Sequence, residues 1–548
     1  MKLALISNTN IEPLKDSISK NNFFEDIFVS DFNISFMTLL NQDSMLYKTS
    51  FDYAFISLDG DVLIGGNLKR YNNIDDISTL LKSQINNLFQ SIDNYKNYND
   101  EIVFIISSIA FDPNSIHTYI DDNLPNSFYD LNKKINIALK DNCIDRDNIF
   151  FLDTNRLIEY YGYSYIFDIR YYYLGRIKYS SLGFNILSEN IQSIIKAYLG
   201  KLKKVIILDL DNTLWNGVIG EEGIDKIGLS EEGIDKVFRD FQRSLKELNE
   251  LGILLSICSK NNFEDAINMI NNHPMMILTE EDFVSIKINW SNKVENIISI
   301  SEDLNLGLDS FVFLDDSPVE RDLVKSNIPE VVVPDFPSDK SMIKNWFVND
   351  VVQRYFPKIS LTAEDLKKNK QYRANFDRIK LGKNLDLESF IDNLNIKTSV
   401  HINDKQFYSR IAQLTQKTNQ FNLTTKRYSE SQIVVLSKKN NYHIYCLEYE
   451  DKFNHEGIIG VAIIHASENE LFIDTFLLSC RVIGRKVEFT FLDEIIFNLK
   501  SKYKSSKILK GIFIPTKKNA VCKKFLQEYG LELQKSSNTK IEYEKKLN

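Results

Sequence analysis

Two aspartates that directly follow a short apolar stretch are the first residues whose types and spacing could do chemistry. The run VIIL ends just before Asp209, and Asp211 and Thr213 follow at alternate positions. A continuous apolar run is typical of a strand buried in a parallel sheet, and catalytic groups collect at the carboxyl ends of such strands. Two carboxylates there suit an aspartyl nucleophile, an acid/base partner and a divalent cation. An EF-hand calcium loop is excluded because Leu214 stands where that loop needs glycine.

Three later segments place polar groups at the end of a predicted strand or the start of a predicted helix. ILLSICS ends at Ser259, whose hydroxyl could bond a phosphoryl oxygen, and Lys260 and Asn261 follow. INWSNKVENIISI puts Lys293 at a helix start, where a nearby anion would offset the helix dipole. SFVFLDDSPVERD ends its strand in two adjacent acids, which repel each other unless a cation lies there. These acids are Asp315 and Asp316. Taken alone, Ser259 would be an ordinary turn residue and Lys293 a solvated surface lysine.

In order, these four segments resemble the motifs of the haloacid dehalogenase (HAD) superfamily of phosphoryl-transfer enzymes. The resemblance implies that Asp209 attacks phosphorus and that Asp211 serves as general acid/base. It also implies that a lysine and Mg²⁺ neutralise the charge of the phosphoryl oxygens in transit. The implied substrate-binding residues of this site are Thr213, Ser259, Lys260, Asn261 and Lys293. The implied Mg²⁺ ligands are Asp209, Asp211, Asp315 and Asp316.

A third region, from about residue 393, reads as a helix followed by an antiparallel sheet. HIYCLEYEDKF, GIIGVAIIHA and ELFIDTFLLSC predict strands, and RVIGRK predicts a turn before an amphipathic helix. Such a turn could present backbone N–H groups, Arg481 and Arg485 to a phosphate or pyrophosphate. Sheet, turn and helix resemble the GNAT acyltransferase fold. Lys486 stands where the GNAT turn has a small residue, so a carrier-bound phosphopantetheine arm fits the pattern better than free CoA.

The quoted motifs, with TQKTNQFNLTTKRY and LLSCRVIGR, are more specifically similar to FkbH-like proteins of the HAD superfamily. The resemblance implies that the chain takes a phosphorylated glycerate, 1,3-bisphosphoglycerate, and loads the glyceryl unit onto an acyl carrier protein in a biosynthetic pathway. The carrier would supply phosphopantetheine. Cys480 is then a candidate catalytic thiolate and acyl relay, because Arg481 and Arg485 would lower its pKa. A structural role for Cys480 stays open, and the other four cysteines are expected to be structural.

Residues 1–198 alternate strand-like and helix-like segments and predict a small parallel α/β domain. It resembles an SGNH hydrolase in outline. However, Ser7 lacks the preceding Gly-Asp of that class, and the only histidine of the segment is His117. Because no general base stands where a serine hydrolase needs one, we expect a non-catalytic docking or scaffold domain.

The predicted architecture is therefore an α/β chain with a HAD-type parallel core between an SGNH-like and a GNAT-like region. The predicted boundaries are 1–198, 203–355, a helical linker at 356–392, and 393–548. A net charge of −9 argues mildly against nucleic acid or anionic lipid as a partner. Five cysteines without paired or metal-ligand spacing, and no run of 18 apolar residues, predict a cytoplasmic protein with free thiols.

Two other function classes compete with carrier loading. The first is a Mg²⁺-dependent phosphatase that acts on a small sugar or metabolite phosphate without a carrier. The second is a non-enzymatic interaction protein with a spent HAD core. The intact set of Asp209, Asp211, Lys293 and Asp316 argues against the second class, because a spent site should have lost some of these groups.

Overall fold

A computed structural model describes residues 1–32, 35–65, 74–112, 119, 123–124, 127–361, 363–382, 385–516, 518–537 and 539–547. His117 and the side chain of Cys480 lie outside this described part. Within it, no helix is long and apolar enough to cross a membrane.

The N-terminal sheet has five parallel strands in the order β2-β1-β3-β4-β5. Alternate residues of each strand enter two separate apolar clusters, as the two-residue period of a strand dictates. Ile6 and Ile56 lie in one cluster, whereas Leu5 and Phe55 lie in the other. The strands are β1 Lys2–Ser7, β2 Asp26–Val29, β3 Tyr53–Ser57, β4 Val103–Ser107 and β5 Ile149–Leu152. All of them except the short edge strand β2 were predicted from the sequence.

Described helices of this region fall between and after the strands. Asp153 and Ser180 each cap a helix with a side-chain oxygen that accepts backbone N–H bonds, which is the usual role of these residue types. The helices are Glu12–Ser19, Ser35–Leu40, Met45–Lys48, Gly60–Leu63, Ile74–Lys96, Phe128–Ile144, Thr154–Tyr161, Tyr163–Ile166, Ile169–Gly175 and Ser181–Tyr198.

The central sheet has four strands in the order β8-β7-β6-β9. β6 and β9 are fully buried four-residue runs, which explains why neither shows the alternation of a half-exposed strand. The strands are β6 Val205–Leu208, β7 Leu254–Ser259, β8 Phe283–Ile288 and β9 Phe311–Leu314. Helices in this stretch are Ile219–Glu222, Asp235–Glu250, Phe263–Asn272, Lys293–Leu304, Pro318–Asn327, Ile343–Trp346 and Gln353–Tyr355, with a π-helical turn at Phe347–Val352.

Two helices, Ala363–Gly382 and Leu387–Leu394, occupy the predicted linker. They precede an eight-stranded sheet in the order β10-β12-β13-β14-β15-β17-β16, with β11 paired to β14. The strands are β10 Lys397–Ile402, β11 Phe421–Asn422, β12 Tyr442–Glu450, β13 His455–Ala466, β14 Glu470–Leu478, β15 Ile508–Phe513, β16 Glu532–Ser536 and β17 Ile541–Lys546. Its helices are Tyr408–Lys417, Glu430–Ser437, Val487–Lys502 and Phe525–Glu528.

The strands β14 and β15 are parallel and pair only from Glu470 to Ile473. Beyond this point, the segment that contains β11 bonds to β14 and to the chain that follows β15. The N–H of Leu423 donates to the carbonyl of Phe476 (3.1 Å), and the carbonyl of Leu423 accepts from the N–H of Ile514 (2.8 Å). The three strands β12, β13 and β14 are antiparallel neighbours, as predicted.

Candidate active site

A buried ion pair joins the first and third motifs. The Nζ of Lys293 lies 2.8 Å from Oδ1 of Asp209, and both side chains are almost fully buried. Lys293 is the first residue of its helix, and the side chain of Asn292 caps that helix by accepting from the N–H of Val294. The sequence predicted an anion beside Lys293, and the carboxylate of Asp209 is such an anion.

Three donors fix the carboxyl group of Asp211. Its Oδ1 accepts from the indole Nε1 of Trp215 (2.9 Å) and from the N–H of Ile219 (3.1 Å), and its Oδ2 accepts from Nδ2 of Asn261 (2.9 Å). Burial raises the pKa of Asp211 above its usual value, and the nearby Asp209 carboxylate raises it further. The three hydrogen bonds act in the opposite direction on this pKa.

The loop after β6 coils back on itself and brings these donors to Asp211. Asn212 adopts a left-handed conformation (φ 54°), which asparagine tolerates better than most residues. The N–H of Gly217 donates to the side chain of Asn212 at 3.2 Å, and the N–H of Asn212 donates to the carbonyl of Gly217 at the same distance. The fully buried Trp215 lies inside this coil, together with the buried Thr213.

Backbone and side-chain hydrogen bonds stabilise the turn after β7. Ser259 is buried, Lys260 is half-buried, and the carbonyl of Ser259 accepts from the N–H of Asn289. Asn261 accepts from the N–H of Asn262, which in turn caps the helix Phe263–Asn272. Ser259 and Asn261 therefore come to the same edge of the sheet as predicted, with Asn261 aimed at Asp211.

The second pair of acids follows β9. The carbonyls of Asp315 and Asp316 both accept from Nη1 of Arg321, and Oδ1 of Asp315 accepts from the N–H of Ser317. Asp209, Asp315 and Asp316 each offer a carboxylate oxygen, and these oxygens lie within 4.8 Å of one another. A cluster of three carboxylates is the donor set that a hard cation such as Mg²⁺ prefers. The predicted Mg²⁺ role of Asp211 stays a prediction, because its carboxyl group is not among these three.

The predicted phosphate-binding arginines of the C-terminal sheet have acidic or polar partners within that sheet. Nη1 of Arg481 lies 2.8 Å from Oε2 of Glu456, and Nη1 of Arg485 donates to the hydroxyl of Tyr449 (2.9 Å). Arg485 also lies 3.5 Å from the carboxylate of Asp451. The roles of Arg481 and Arg485 toward a phosphate, and of Cys480 as a thiolate, stay predictions.

The other four cysteines are buried thiols. Burial raises the pKa of Cys143 to about 12, that of Cys446 to about 12 and that of Cys522 to about 11, so these thiols stay protonated. This agrees with the structural role expected for them.

The N-terminal sheet carries buried polar residues at its carboxyl edge. The hydroxyl of Ser7 bonds to that of Thr9 (3.1 Å), and the hydroxyl of Ser57 to that of Tyr179 (3.3 Å). Lys178 forms a buried ion pair with Asp59. Sequence reasoning missed this ion pair, and it missed Trp215 as a partner of Asp211, although the four-residue spacing of these two residues offered a signal.

The chain is similar to several solved structures. The N-terminal part of protein BF1531 from Bacteroides fragilis, which contains a phosphatase domain and was solved in complex with Mg, is 27% identical. That match covers 66% of this chain and 95% of that structure, with a TM-score of 0.59. The sequence matches no protein-family model and no curated protein.

Acetyltransferase structures match a smaller share of the chain. The ribosomal-protein-S18-alanine N-acetyltransferase from Escherichia coli is 11% identical over 27% of this chain and 94% of its own, with a TM-score of 0.22. The GNAT domain of S. lividans PAT is 14% identical over 27% of this chain and 90% of its own, also with a TM-score of 0.22.

The predicted fold class, an α/β chain with parallel sheets and a C-terminal α+β region, is confirmed by the topology and by the Bacteroides fragilis match.

Proposed function

We propose that this chain is a Mg²⁺-dependent phosphoryl-transfer enzyme with Asp209 as its nucleophile. The observation that carries the proposal is the buried 2.8 Å contact between Nζ of Lys293 and Oδ1 of Asp209. This contact places the ammonium group beside the carboxylate oxygen that would attack phosphorus. The same ammonium group can contact the oxygens of a phosphoryl group that Asp209 attacks. The likeness to a solved phosphatase domain supports this assignment.

The residues that would hold Mg²⁺ are Asp209, Asp315 and Asp316. The carboxylates of these three residues fit the cation by number, by charge and by donor type. When bound, Mg²⁺ supplies positive charge that offsets the charge of the phosphoryl oxygens. The Bacteroides fragilis structure in complex with Mg supports the choice of cation.

Asp209 and Asp211 divide the chemistry between them in this proposal. An oxygen of Asp209 attacks phosphorus, and the bond between phosphorus and the leaving oxygen breaks. Asp211 gives a proton to that leaving oxygen. It then takes a proton from the water that attacks the aspartyl phosphate, which releases inorganic phosphate and restores Asp209.

We extend the proposal to the substrate and the acceptor that the FkbH-like motifs imply. The substrate is 1,3-bisphosphoglycerate, and the glyceryl unit passes to the phosphopantetheine thiol of an acyl carrier protein, with Cys480 as relay. A thiolate that attacks the carbonyl carbon of the acyl phosphate forms a thioester and expels phosphate. Motifs of the phosphoryl-transfer and C-terminal regions lie on one chain, which supports coupling of the two reactions.

A carrier-independent Mg²⁺ phosphatase is the second candidate. It is favoured by the engagement of Arg481 with Glu456 and of Arg485 with Tyr449, since both guanidinium groups already have partners. The N-terminal and C-terminal regions would then have roles other than acyl transfer.

Intact-protein mass spectrometry tests these candidates. The full chain is incubated with Mg²⁺, 1,3-bisphosphoglycerate generated in situ and a pantetheinylated carrier protein. Carrier loading predicts a glyceryl mass on the carrier that is lost with Asp209→Asn and with Cys480→Ser. Asp141→Asn, which changes an exposed carboxylate on the helix Phe128–Ile144, serves as the matched control and should load the carrier normally.

Each other outcome rejects one candidate. Phosphate release with a bare carrier would reject loading from this donor and leave the phosphatase. Loading that survives Cys480→Ser would reject the relay alone. If neither reaction occurs with any small phosphate ester, the enzyme proposal fails in favour of an interaction protein.

A further inference from the structure

The helix Ile169–Gly175 leaves its apolar side chains in solvent. None of its residues is buried, and Tyr173 and Leu174 are 82% and 83% exposed. Ile169 and Tyr171 are about half exposed. A helix this short is marginal by itself and usually gains stability by packing an apolar face against the protein. Large exposed apolar side chains that adjoin one another mark a surface that another molecule covers.

Both ends of this helix are fixed to the N-terminal region. Asp168 caps its start by accepting from two backbone N–H groups of the first turn, and the N–H of Asp168 donates to the carbonyl of Lys178 (2.9 Å). At the other end, Arg176 adopts a left-handed conformation (φ 56°), and its carbonyl accepts from the N–H of Asn10 (2.9 Å). The helix is therefore a preformed element, which a partner can contact without first having to order it.

One side of the helix combines apolar and cationic side chains. By the 3.6-residue period of a helix, this side carries Ile169, Arg170, Tyr173 and Leu174. We call these four residues the tyrosine face. The side chain of Arg170 is 80% exposed, and its ion pair with Asp168 is a surface pair of the kind that contributes little to stability. Tyrosine and arginine are among the residues that most often carry the binding energy of protein interfaces.

Arginines supply the exposed charge at the tyrosine face. Arg176, just beyond the helix, is exposed, and its guanidinium group donates to the hydroxyl of Tyr172 (3.3 Å). The carboxylates of Asp59 and Asp61 lie near Tyr172, but Asp59 is buried in its ion pair with Lys178, and Asp61 is half-buried. The whole chain, by contrast, has a net charge of −9. An acidic partner is therefore repelled by the net charge of the chain and attracted at this face.

We propose that the tyrosine face docks the carrier protein of the proposed function, through an amphipathic helix of the carrier whose carboxylates flank an apolar strip. The proposal rests on the proposed function, which supplies the carrier as a partner. The apolar strip would cover Tyr173 and Leu174, while the carboxylates would meet Arg170 and Arg176. The docking or scaffold role expected for residues 1–198 then has a defined location.

Two other occupants fit the tyrosine face less well. Adsorption to an anionic membrane usually takes a cluster of about 4–8 cations, whereas this face offers Arg170 and Arg176. In a symmetric dimer, the same surface of both copies meets, so the arginines of one copy would face those of the other. Neither occupant supplies the carboxylates that these guanidinium groups call for.

The first test measures the Kd of the full chain for the pantetheinylated carrier protein by titration calorimetry. The double variant Tyr173→Ser/Leu174→Ser removes two side chains that are more than four-fifths exposed, so the fold should be kept. We expect its Kd to rise by at least about tenfold. The matched control is Tyr129→Ser/Ile137→Ser, which removes an exposed tyrosine and an exposed aliphatic residue from the helix Phe128–Ile144. Its Kd should stay within about twofold of the wild-type value.

The electrostatic part of the proposal has its own variant. Arg170→Gln should weaken carrier binding by about threefold at low salt and by less at high salt, because salt already screens the attraction there. Lys140→Gln changes an exposed lysine on the helix Phe128–Ile144 and should bind the carrier like wild type at every salt concentration. The same salt dependence in Arg170→Gln and in wild type would contradict a docking contact at this arginine.

Transfer to free pantetheine separates the docking surface from the proposed function. The double variant should load glyceryl onto free pantetheine at the wild-type rate and onto the carrier with a kcat/KM lowered about as much as the affinity. If wild type loads pantetheine but the double variant binds the carrier as tightly as wild type does, the docking surface alone is wrong. If wild type loads neither acceptor, the proposed function fails, and weaker carrier binding by the double variant would still support the docking surface.

Three further outcomes would overturn the docking surface. The first is that wild type does not bind the carrier at all. The second is co-sedimentation with phosphatidylserine vesicles that the double variant loses while its carrier affinity is unchanged, which would assign the tyrosine face to lipid. The third is a dimer, detected by analytical ultracentrifugation, that the double variant loses under the same condition, which would assign the face to a second copy.

Discussion

Arg378 and Asp451 form a doubly hydrogen-bonded ion pair that is almost completely buried. Nε of Arg378 lies 2.7 Å from one carboxylate oxygen of Asp451 and Nη2 lies 2.8 Å from the other, while Nη1 bonds to Glu456. Arg378 lies on the helix Ala363–Gly382, and its partners lie at the hairpin between β12 and β13. The pair fastens the linker helix to the C-terminal sheet.

Removal of Arg378 should destabilise the C-terminal sheet. Arg378→Ala removes one cationic partner from each of two buried carboxylates, and breaking a buried pair in this way costs about 3–5 kcal/mol. The measurement is native-state hydrogen exchange in peptides from β12 and β13. Lys370→Ala, an exposed lysine on the same helix, is the matched control and should change the exchange free energy by less than about 0.5 kcal/mol. Equal protection in Arg378→Ala and in the control would contradict the proposed anchoring role.

Loss of the lysine at the candidate nucleophile should impair phosphate release strongly. Lys293→Met keeps the length of the side chain and removes its charge, so Asp209 loses the cation 2.8 Å away. We expect phosphatase kcat/KM to fall by at least about a hundredfold, as when an electrostatic donor is removed from an active site. Lys140→Met changes an exposed lysine and should leave kcat/KM unchanged. A Lys293→Met enzyme with wild-type kcat/KM would remove the main support for the nucleophile assignment.

Removal of Mg²⁺ should stop phosphate release reversibly. A chelator should abolish activity, and excess Mg²⁺ should restore it. Asp315→Asn removes one negative charge from the cluster of three carboxylates, so a higher Mg²⁺ concentration should be needed for half-maximal activity, by about tenfold. A Mg²⁺ titration of wild type and variant measures this. Full activity in the presence of chelator would exclude a metal-dependent reaction.

The C-terminal sheet should lose stability at mildly acidic pH through His443. This histidine is buried, its Nε2 lies 3.0 Å from the hydroxyl of Tyr503, and burial lowers its pKa to about 4. Because the folded-state pKa is depressed, the contribution of neutral His443 is fully present above the unfolded pKa of about 6.5 and is lost as pH falls toward 4. The loss amounts to at most about 3 kcal/mol.

Hydrogen exchange of β12 peptides between these two pH values measures the effect. His443→Gln should flatten the pH dependence of the exchange free energy. His455→Gln, whose side chain is more than half exposed, should not change it. The same slope in all three proteins would assign the acid sensitivity to another group.

Part of the site was accessible from the sequence because its residues mark the ends of buried strands. Apolar runs predicted β6, β7 and β9, and parallel strands bring their carboxyl ends to one edge, so Asp209 and Ser259 were predicted correctly at strand ends. The sequence also predicted an anion beside Lys293 at a helix start, and the carboxylate of Asp209 lies there.

Other features leave no local pattern in the chain. Arg378 and Asp451 are 73 positions apart, and the residues around each of them do not indicate that the two side chains form an ion pair. The strand β11 has only two residues, too few for any periodicity, and is defined by its partners on β14. The hydrogen bonds to Asp211 depend on the path of the loop after β6. This loop contains Asn212 in a left-handed conformation, which a residue pattern does not specify.

The segment around Leu423 has a mechanical consequence for the C-terminal sheet. One residue is bonded by its N–H to β14 and by its carbonyl to the chain just beyond β15, past the stretch in which these two strands pair with each other. Leu423 therefore bridges the two strands at the end where their direct pairing has stopped. Separation of β14 from β15, starting at that end, therefore requires the loss of these two hydrogen bonds before the direct pairing of the strands is reached.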